Sequence, residues 1–315
     1  MELIVLNEIE YSRIFNKNSN VFCSTEFTHL NSHFFEEIRY LAFVENNKYK
    51  AGIIFGKNKE TLYAPPKAPF SGLNKLKDIS LESVDKIVSL LENYSNYEKL
   101  NIEITFPPLI YDTNFYSNCI NSFFRSKFIT SAIDLSFYLN VNKLMLNYIN
   151  LLPRSGKKNL SNGLKAESIE LLKSDNKEFI DRAYKIIKAN RESKRYPLRM
   201  TFDQVMKTVE IIKSDFFILK INRIEIASAQ IFYVKEDVVQ VIYWGDISGY
   251  EHLRPMNVLA FKILEFYKNT DVKIIDIGPS TENSIPNYGL CNFKNSIGCD
   301  ISLKYKFSHN IKCDD

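Results

Sequence analysis

No run of about 18 apolar residues occurs anywhere in the chain, so no segment reads as a membrane-spanning helix. The first residues, MELIVLNEIEYSRIF, lack a positive stretch followed by a long apolar one and do not read as a secretory signal. Histidine is scarce. His29, His33, His252 and His309 form no H-E-x-x-H and no adjacent cluster, which leaves out the helical zinc-protease pattern. The five cysteines, at 23, 119, 291, 299 and 313, are odd in number and scattered. That suits a reducing, cytoplasmic setting rather than a disulfide framework. Cys291 and Cys299 do not have a zinc spacing, and only His309 lies nearby, so no metal is expected. Charge of one sign is also in short supply. Lys and Arg number 41 against 37 Asp and Glu, for a net +4. This is not the balance of a general nucleic-acid binder, and DNA is not an expected partner, though a local basic patch is compatible with it.

What is present is core-forming material. Of 315 residues 45% are apolar, enough for one large core or two domains of ordinary size. RYLAFVE (39–45) and KAGIIFG (50–56) flank Asn46-Asn47-Lys48, a hairpin signal. TLYA (61–64) reads as a third strand, followed by the turn-rich PPKAPFSGL. Leu81, Val84, Ile87, Val88 and Leu91 recur at helical spacing over 81–93, with Ser80 as N-cap. NIEITF (101–106) reads as a strand, and KFITSAIDLSFYL (127–139) holds one or two more.

The second half repeats the order. FFILKI (216–221), IASAQIFYV (226–234) and VVQVIYWG (238–245) read as strands. Residues 255–268 form a helix apolar almost all round, with Pro255 in its first turn, so it should be deeply buried. KIIDIG (273–278) is a strand, and DISLKYKF (300–307) alternates Ile301, Leu303, Tyr305 and Phe307 as a half-buried strand does. Laid on each other, VENNKYKAGIIFGKNKETLYA and KINRIEIASAQIFYVKEDVVQVIYWG match at a separation near 176 residues. A repeat this long implies two copies of one domain, each with a mixed sheet and flanking helices. Between the copies, 143–163 should kink or break at Pro153 and Gly156, and SIELL (168–172) is a short strand. Asp175-x-x-Glu178 and Thr201-x-x-Gln204 mark two helix starts, the second with Phe202, Val205, Met206, Val209 and Ile212 on one face.

Strand, strand, strand, loop, buried helix, strand, short helix and last strand is an order that resembles the GNAT acetyltransferase domain. The tandem arrangement resembles the FemAB-like branch, including the BioF2-like acetyltransferase domains of bacterial cell-envelope loci. The stretches that carry the resemblance are YAPPKAPFSGL (63–73), PRSGKKNLSNGLKAESIELL (153–172), YWGDISGYEHLRPMNVLAFKILEFYK (243–268), IIDIGPS (274–280) and GLCNFKNSIGCD (289–300). Together they span nearly the whole chain. The resemblance implies an α/β (α+β) fold of two tandem GNAT-like domains, 1–140 and 141–315, each a mixed, mostly antiparallel sheet flanked by helices. It implies acyl transfer to an amine, with an acyl-CoA such as acetyl-CoA as co-substrate and an amino sugar or nucleotide-linked envelope precursor as acceptor. Two alternatives stay open. One is an aminoacyl-tRNA donor, although 175–213 lacks sustained heptads for the paired coiled-coil helices common in tRNA-using members. The other is a non-catalytic binding protein on a decayed transferase fold.

The resemblance also places a site. The donor would lie where strand 238–245 splays from strand 273–278, against backbone N–H groups that hold a forming oxyanion. The N-terminus of the helix at Pro255 would face donor phosphates. The loop before it, DISGYEHLRPMN, carries one glycine, Gly249, where the family has a glycine-rich Q/R-x-x-G-x-G/A. Lys294 falls where many members carry a general-acid tyrosine, and FemAB-like members often have F-K-x-x-F-G. Its bland alternative is a solvated lysine. Asp246 and Asp276, at the ends of the two strands, are candidate proton acceptors, and Tyr288 is a further general-acid candidate. Tyr243, Trp244, Gly245, Gly249, Arg254 and Gly278 are the expected donor-site residues. Arg154, Lys157, Lys158 and Lys165, at near-helical spacing, read as a phosphate site or a solvated helix face. Arg191, Lys194 and Arg195 read as surface. In the first copy, which resembles a domain that has lost donor binding, Phe70, Ser71 and Gly72 after Pro69 form a tight loop that would touch the acceptor.

Overall fold

A computed structural model describes residues 1–15, 17, 20–145 and 147–311, the side chains of 144 and 145 apart; Cys313 lies outside the described residues. The chain divides into two compact units. The first holds Met1–Leu135, Thr281–Ile285 and the described residues from Ser302 onward, and the second holds Ser136–Ser280 and Pro286–Ile301. The sequence division at 140/141 left the last strand with the second copy. In the structure its distal half pairs antiparallel with Asn101–Thr105, Lys306 facing Thr105 and His309 facing Ile102. A pairing between segments so far apart in sequence leaves no local signal.

In the first unit the sheet runs Glu2–Leu6, Glu37–Glu45, Lys48–Asn58, Thr61–Ala64, Asn101–Thr105, then the last strand and the start of Ile129–Asn140. Glu2–Leu6, Glu37–Glu45, Lys48–Asn58 and Thr61–Ala64 pair antiparallel in turn. Thr61–Ala64 then pairs parallel with Asn101–Thr105 along its whole length, from Thr61 opposite Asn101 to Ala64 opposite Ile104. The hairpin at 46–47 is a two-residue turn with both residues left-handed (φ 52° and 57°), the conformation that matches strand twist and that asparagine tolerates. Helix Leu81–Glu98 starts at Ser80, whose hydroxyl accepts the Ser83 N–H, and buries Val84, Ile87, Val88 and Leu91. Leu81, expected on that stripe, is 39% exposed, because it occupies the first position of the helix. The helices Glu8–Ile14, Thr25–Asn31 and Thr113–Arg125 have side-chain caps at Asn7, Ser24 and Asp112.

The second unit repeats the hairpin. Ser214–Ile221 and Ile224–Lys235 are joined by Asn222 and Arg223, again both left-handed (φ 50° and 69°). The sheet order is Ile169–Lys173, Ser214–Ile221, Ile224–Lys235, Val238–Asp246, Ile274–Pro279 and the end of Ile129–Asn140. Helix Lys177–Ser193 covers one face, where Phe179, Ile180, Ala183 and Ile186 meet Phe216 and Ile218. Helix Pro255–Tyr267 covers the other, since Phe266 and Tyr267 edge onto Phe217, which alternates with Phe216 and Ile218.

Segment 143–163 breaks more than the sequence suggested, into Val141–Met145, Tyr148–Leu151 and Arg154–Gly163. The expected cap at Asp175 falls one residue later: Asn176 accepts the Phe179 N–H, three residues on as capping geometry requires. Thr201 and Gln204 form the expected reciprocal capping box, over a helix Phe202–Val209 that is shorter than read. Alternation in Asp300–His309 holds only at Phe307. Ile301 is 48% exposed, while Ser302 is buried and its hydroxyl accepts the Ile110 N–H.

Candidate functional site

The second unit contains a forked pair of strands. Val238–Asp246 and Ile274–Pro279 run parallel, but their pairing covers only Val238–Ile274, Val239–Ile275 and Gln240–Asp276. Residues 241–246 continue beyond the fork, paired with Ile224–Lys235 on one edge and, among the described residues, with no strand on the other. A register shift at Gln230/Ile231 pairs Gln230 with Tyr243 and Ile231 with Val241, so Ile242 bulges at the fork.

Polar side chains fix the base of the fork. Asp276 is fully buried. Its Oδ1 accepts from Gly278 N (2.7 Å) and Ser136 Oγ (3.3 Å), and its Oδ2 accepts from Gln240 Nε2 (2.9 Å). Both oxygens thus accept hydrogen bonds from within the fold, which suits a structural pin. The Gly278 amide is drawn inward where the pairing with Ile129–Asn140 shifts register, and Gly278 adopts φ +77°. A side chain there would meet nothing within 4 Å, so this bend faces open space.

Lys294 is neither solvated nor aimed outward. It lies on helix Tyr288–Ser296, is 4% exposed, and donates from Nζ to the carbonyls of Gly278 (2.8 Å) and Pro279 (2.9 Å). Its ammonium lies 5.4 Å from the centre of the Phe137 ring. Burial pulls its pKa down to about 8, against the opposing pull of Cys299, Asp276 and Cys291. Cys299 is partly buried and its thiol is pushed up by burial; the Cys291 Sγ–H faces the Ser280 carbonyl at 3.7 Å. Among the described residues no group of three or more His, Cys, Asp or Glu could hold a metal.

Asp246 differs from Asp276. Its Oδ1 accepts from Asn190 Nδ2 (2.9 Å) and Lys194 Nζ (3.2 Å), while Oδ2 has no donor among the described residues and the side chain is 14% exposed. Asn190 also lies against Gly245, where a Cβ would come within 2.4 Å of it. Tyr243 is buried, its hydroxyl accepting the Arg199 N–H, and Trp244 meets the edge of Phe293. Tyr288 is 74% exposed at the start of its helix.

Arg191, read from sequence as surface, is half-buried. Its guanidinium lies 5.3 Å from the Tyr243 ring and 5.9 Å from the Tyr196 ring, and its Nε is buried without a hydrogen-bond partner. Burial lowers its pKa, and no carboxylate opposes that. A cation held this way has an unmet need for an anion. Ser228 and Gln230 oppose Gly245 and Tyr243, and among the described residues neither the Ser228 hydroxyl nor either end of the Gln230 amide has a partner. The signal that sequence reading passed over was Arg191 in the last turn of a helix that packs on the forked strand, with Tyr196 just after it.

The loop at Gly249 is not a free amide cradle. Gly249 adopts φ +98°, and its N–H donates to the Glu251 carboxylate at 3.1 and 3.0 Å. That contact holds Glu251 below the usual carboxylate range. Arg254, left-handed at φ 52°, precedes helix Pro255–Tyr267, and its carbonyl already accepts the Asn257 and Val258 N–H groups. The Gly249 N–H and the Arg254 carbonyl are therefore both engaged within the chain. Arg154, Lys157 and Lys158 lie on helix Arg154–Gly163, whose Gly156 packs against the end of helix Tyr288–Ser296. In the first unit Phe70 and Ser71 are 1% and 3% exposed, and Ser71 N–H donates to the Thr105 carbonyl. Gly72 bends at φ +75° against Phe106. These three are packed inward rather than presented.

No protein-family model matches the sequence, and no curated protein does. Solved structures do match in fold. FemX superposes with a TM-score of 0.70 at 12% identity, over 99% of this chain and 98% of that one. L-PGS from Bacillus licheniformis gives 0.58 at 11%, over 98% and 93%. A tandem GNAT protein from the clavulanic acid biosynthesis pathway gives 0.51 at 6%, over 100% and 99%. With two units, each a mixed and mostly antiparallel sheet flanked by helices, the chain has the tandem GNAT-like fold of these proteins.

Proposed function

We propose that the chain transfers an acyl or aminoacyl group from an activated ester or thioester to an amine, with the donor carbonyl held in the fork of the second unit. The observation that carries this reading is the strand pairing that stops at Gln240–Asp276 while 241–246 runs on with one free edge. An unpaired backbone edge supplies N–H donors fixed in place, which stabilise a carbonyl oxygen as it gains charge and need no reorganisation to do so. Asp276, Gln240 and Lys294 act as positioning residues that hold the fork open. The amine nitrogen attacks the carbonyl carbon, and a C–N bond forms as the C–S or C–O bond to the leaving group breaks. The amine proton passes to the free Oδ2 of Asp246, and the leaving group takes a proton from water. Asp246 is preferred over Asp276 because it alone keeps an unoccupied oxygen.

The acceptor reading follows from Arg191. A half-buried guanidinium without a counter-ion, together with the unsatisfied Gln230 amide, suits an amine that also carries a phosphate or carboxylate, such as a nucleotide-linked amino sugar. On the donor side, the occupied Gly249 N–H disfavours a seat for the CoA pyrophosphate and leaves an aminoacyl ester as the better fit. Incubation with a panel of acyl-CoA thioesters and aminoacyl-tRNAs, each with nucleotide-linked amino sugars, tests the reading by mass spectrometry. Appearance of an amide product dependent on Asp246 supports it. No product across both donor classes, together with no donor binding by calorimetry, overturns it and leaves a non-catalytic binding protein.

A further inference from the structure

Helix Arg154–Gly163 is divided into two faces. Gly156, Leu160 and Gly163 are buried. Two of these must be glycine because of what they touch. A Cβ at 156 would stand 1.9 Å from the Ser296 carbonyl oxygen, and one at 163 would stand 2.5 Å from Val258 and 2.9 Å from the Leu253 carbonyl oxygen. At about 100° per residue, Arg154, Lys157 and Lys158 fall within an arc of about 100° on the opposite side. Lys165 extends the row just past the helix end, and Arg254 borders the helix at Gly163, on its inner side. Segment 153–166 contains no Asp or Glu. Among the described residues none of these five cations makes an ion pair or a side-chain hydrogen bond.

Helix Lys177–Ser193 shows what an ordinary solvated face looks like in the same unit. Its cations are interleaved with acids, and Arg182, Lys185 and Lys188 pair with Glu225, Asp181 and Glu192. The Arg154–Gly163 face lacks this neutralising pattern. The helix directly before it, Tyr148–Leu151, turns Tyr148 inward onto the Ile297 carbonyl, next to the Ser296 contact of Gly156, and leaves Ile149 and Leu151 41% and 51% exposed.

We infer that this face, with Ile149 and Leu151, is a docking surface for an anionic lipid bilayer. Charge complementarity supplies the attraction, because each Lys or Arg near an anionic surface strengthens binding by about fivefold. The exposed apolar pair decides between polyanions. A nucleic-acid backbone would leave Ile149 and Leu151 in water, whereas a bilayer interface accepts cations and apolar side chains side by side. No helix among the described residues is long and apolar enough to cross a membrane, so the contact is peripheral. The inference is independent of the transfer chemistry.

Flotation of the full chain with vesicles of phosphatidylglycerol and phosphatidylcholine, against pure phosphatidylcholine, tests it. Binding is expected on the anionic vesicles only and should fall as salt rises. The variant R154A/K157A/K158A/K165A should bind more than a hundredfold more weakly at an unchanged melting temperature. I149S/L151S should weaken binding severalfold and leave its salt dependence in place. K157E/K158E serves as a second charge variant should the quadruple one melt early. Three results would overturn the inference: no binding to anionic vesicles at low salt, wild-type binding by both charge variants, or a mobility shift with tRNA while the vesicles float free of protein.

Discussion

The two units build the same hairpin and then part company at the next strand. In the first, Thr61–Ala64 is short and pairs in full with Asn101–Thr105. Its following loop folds back, burying Phe70 and Leu73 and giving the Ser71 N–H to the Thr105 carbonyl. In the second, the corresponding strand runs from Val238 to Asp246 but pairs with its parallel neighbour only as far as Gln240. The same fold thus gives one strand pair with its backbone groups consumed and one with an open edge. A repeated domain can thus keep its architecture while only one copy leaves a strand edge open.

The largest expected effect falls on the open fork. Asp246→Asn should lower transfer by about a hundredfold or more while donor affinity holds, because it removes a proton acceptor and leaves the fork intact. Steady-state kinetics beside calorimetry reads this, and an unchanged rate would remove Asp246 from the mechanism. Next comes the packing that sets helix Arg154–Gly163 in the second unit. Gly156→Ala forces a methyl onto the Ser296 carbonyl and should cost about 3 kcal/mol in urea denaturation. Gly249→Ala meets no neighbour and should cost about 1 kcal/mol, from its positive φ alone.

Lys294 gives a subtler contrast, seen in pH. Its folded pKa of about 8 lies below the ordinary 10.5, so the unfolded chain binds the extra proton between those values. The charged form therefore costs stability below pH 8, and this cost is relieved as pH rises from 8 to 10.5. Lys294→Met should lack that rise. The gap between the two proteins' denaturation midpoints should shift in favour of the wild type across this window, by up to about 3 kcal/mol. A constant gap would place Lys294 at an ordinary pKa.

Much of the architecture is readable in the sequence because it is local. The hairpins, the Ser80 and Thr201 caps and the buried helix at Pro255 all follow from spacing and turn chemistry. The pairing of the last strand with Asn101–Thr105 is not readable, since it joins segments some 200 residues apart. The site was partly readable: the forked strands follow from the resemblance, but the roles of individual residues do not. Lys294 binds two backbone carbonyls, and Asp276 binds one amide and the side chains of Ser136 and Gln240, all brought close by folding, and no motif announces that. Arg191 was passed over because a basic run at a helix end is usually solvated, and only the rings of Tyr196 and Tyr243 set it apart.

The difference between the two strand pairs can be measured without knowing the substrate. Residue-resolved hydrogen exchange compares the amides of 241–246 with those of 61–64. The account predicts protected amides throughout Leu62–Ala64, and within 241–246 a subset exchanging far faster, which slows when a bound donor occupies the fork. Uniform protection across both segments would mean that the second unit's edge is closed like the first, and would contradict the central claim.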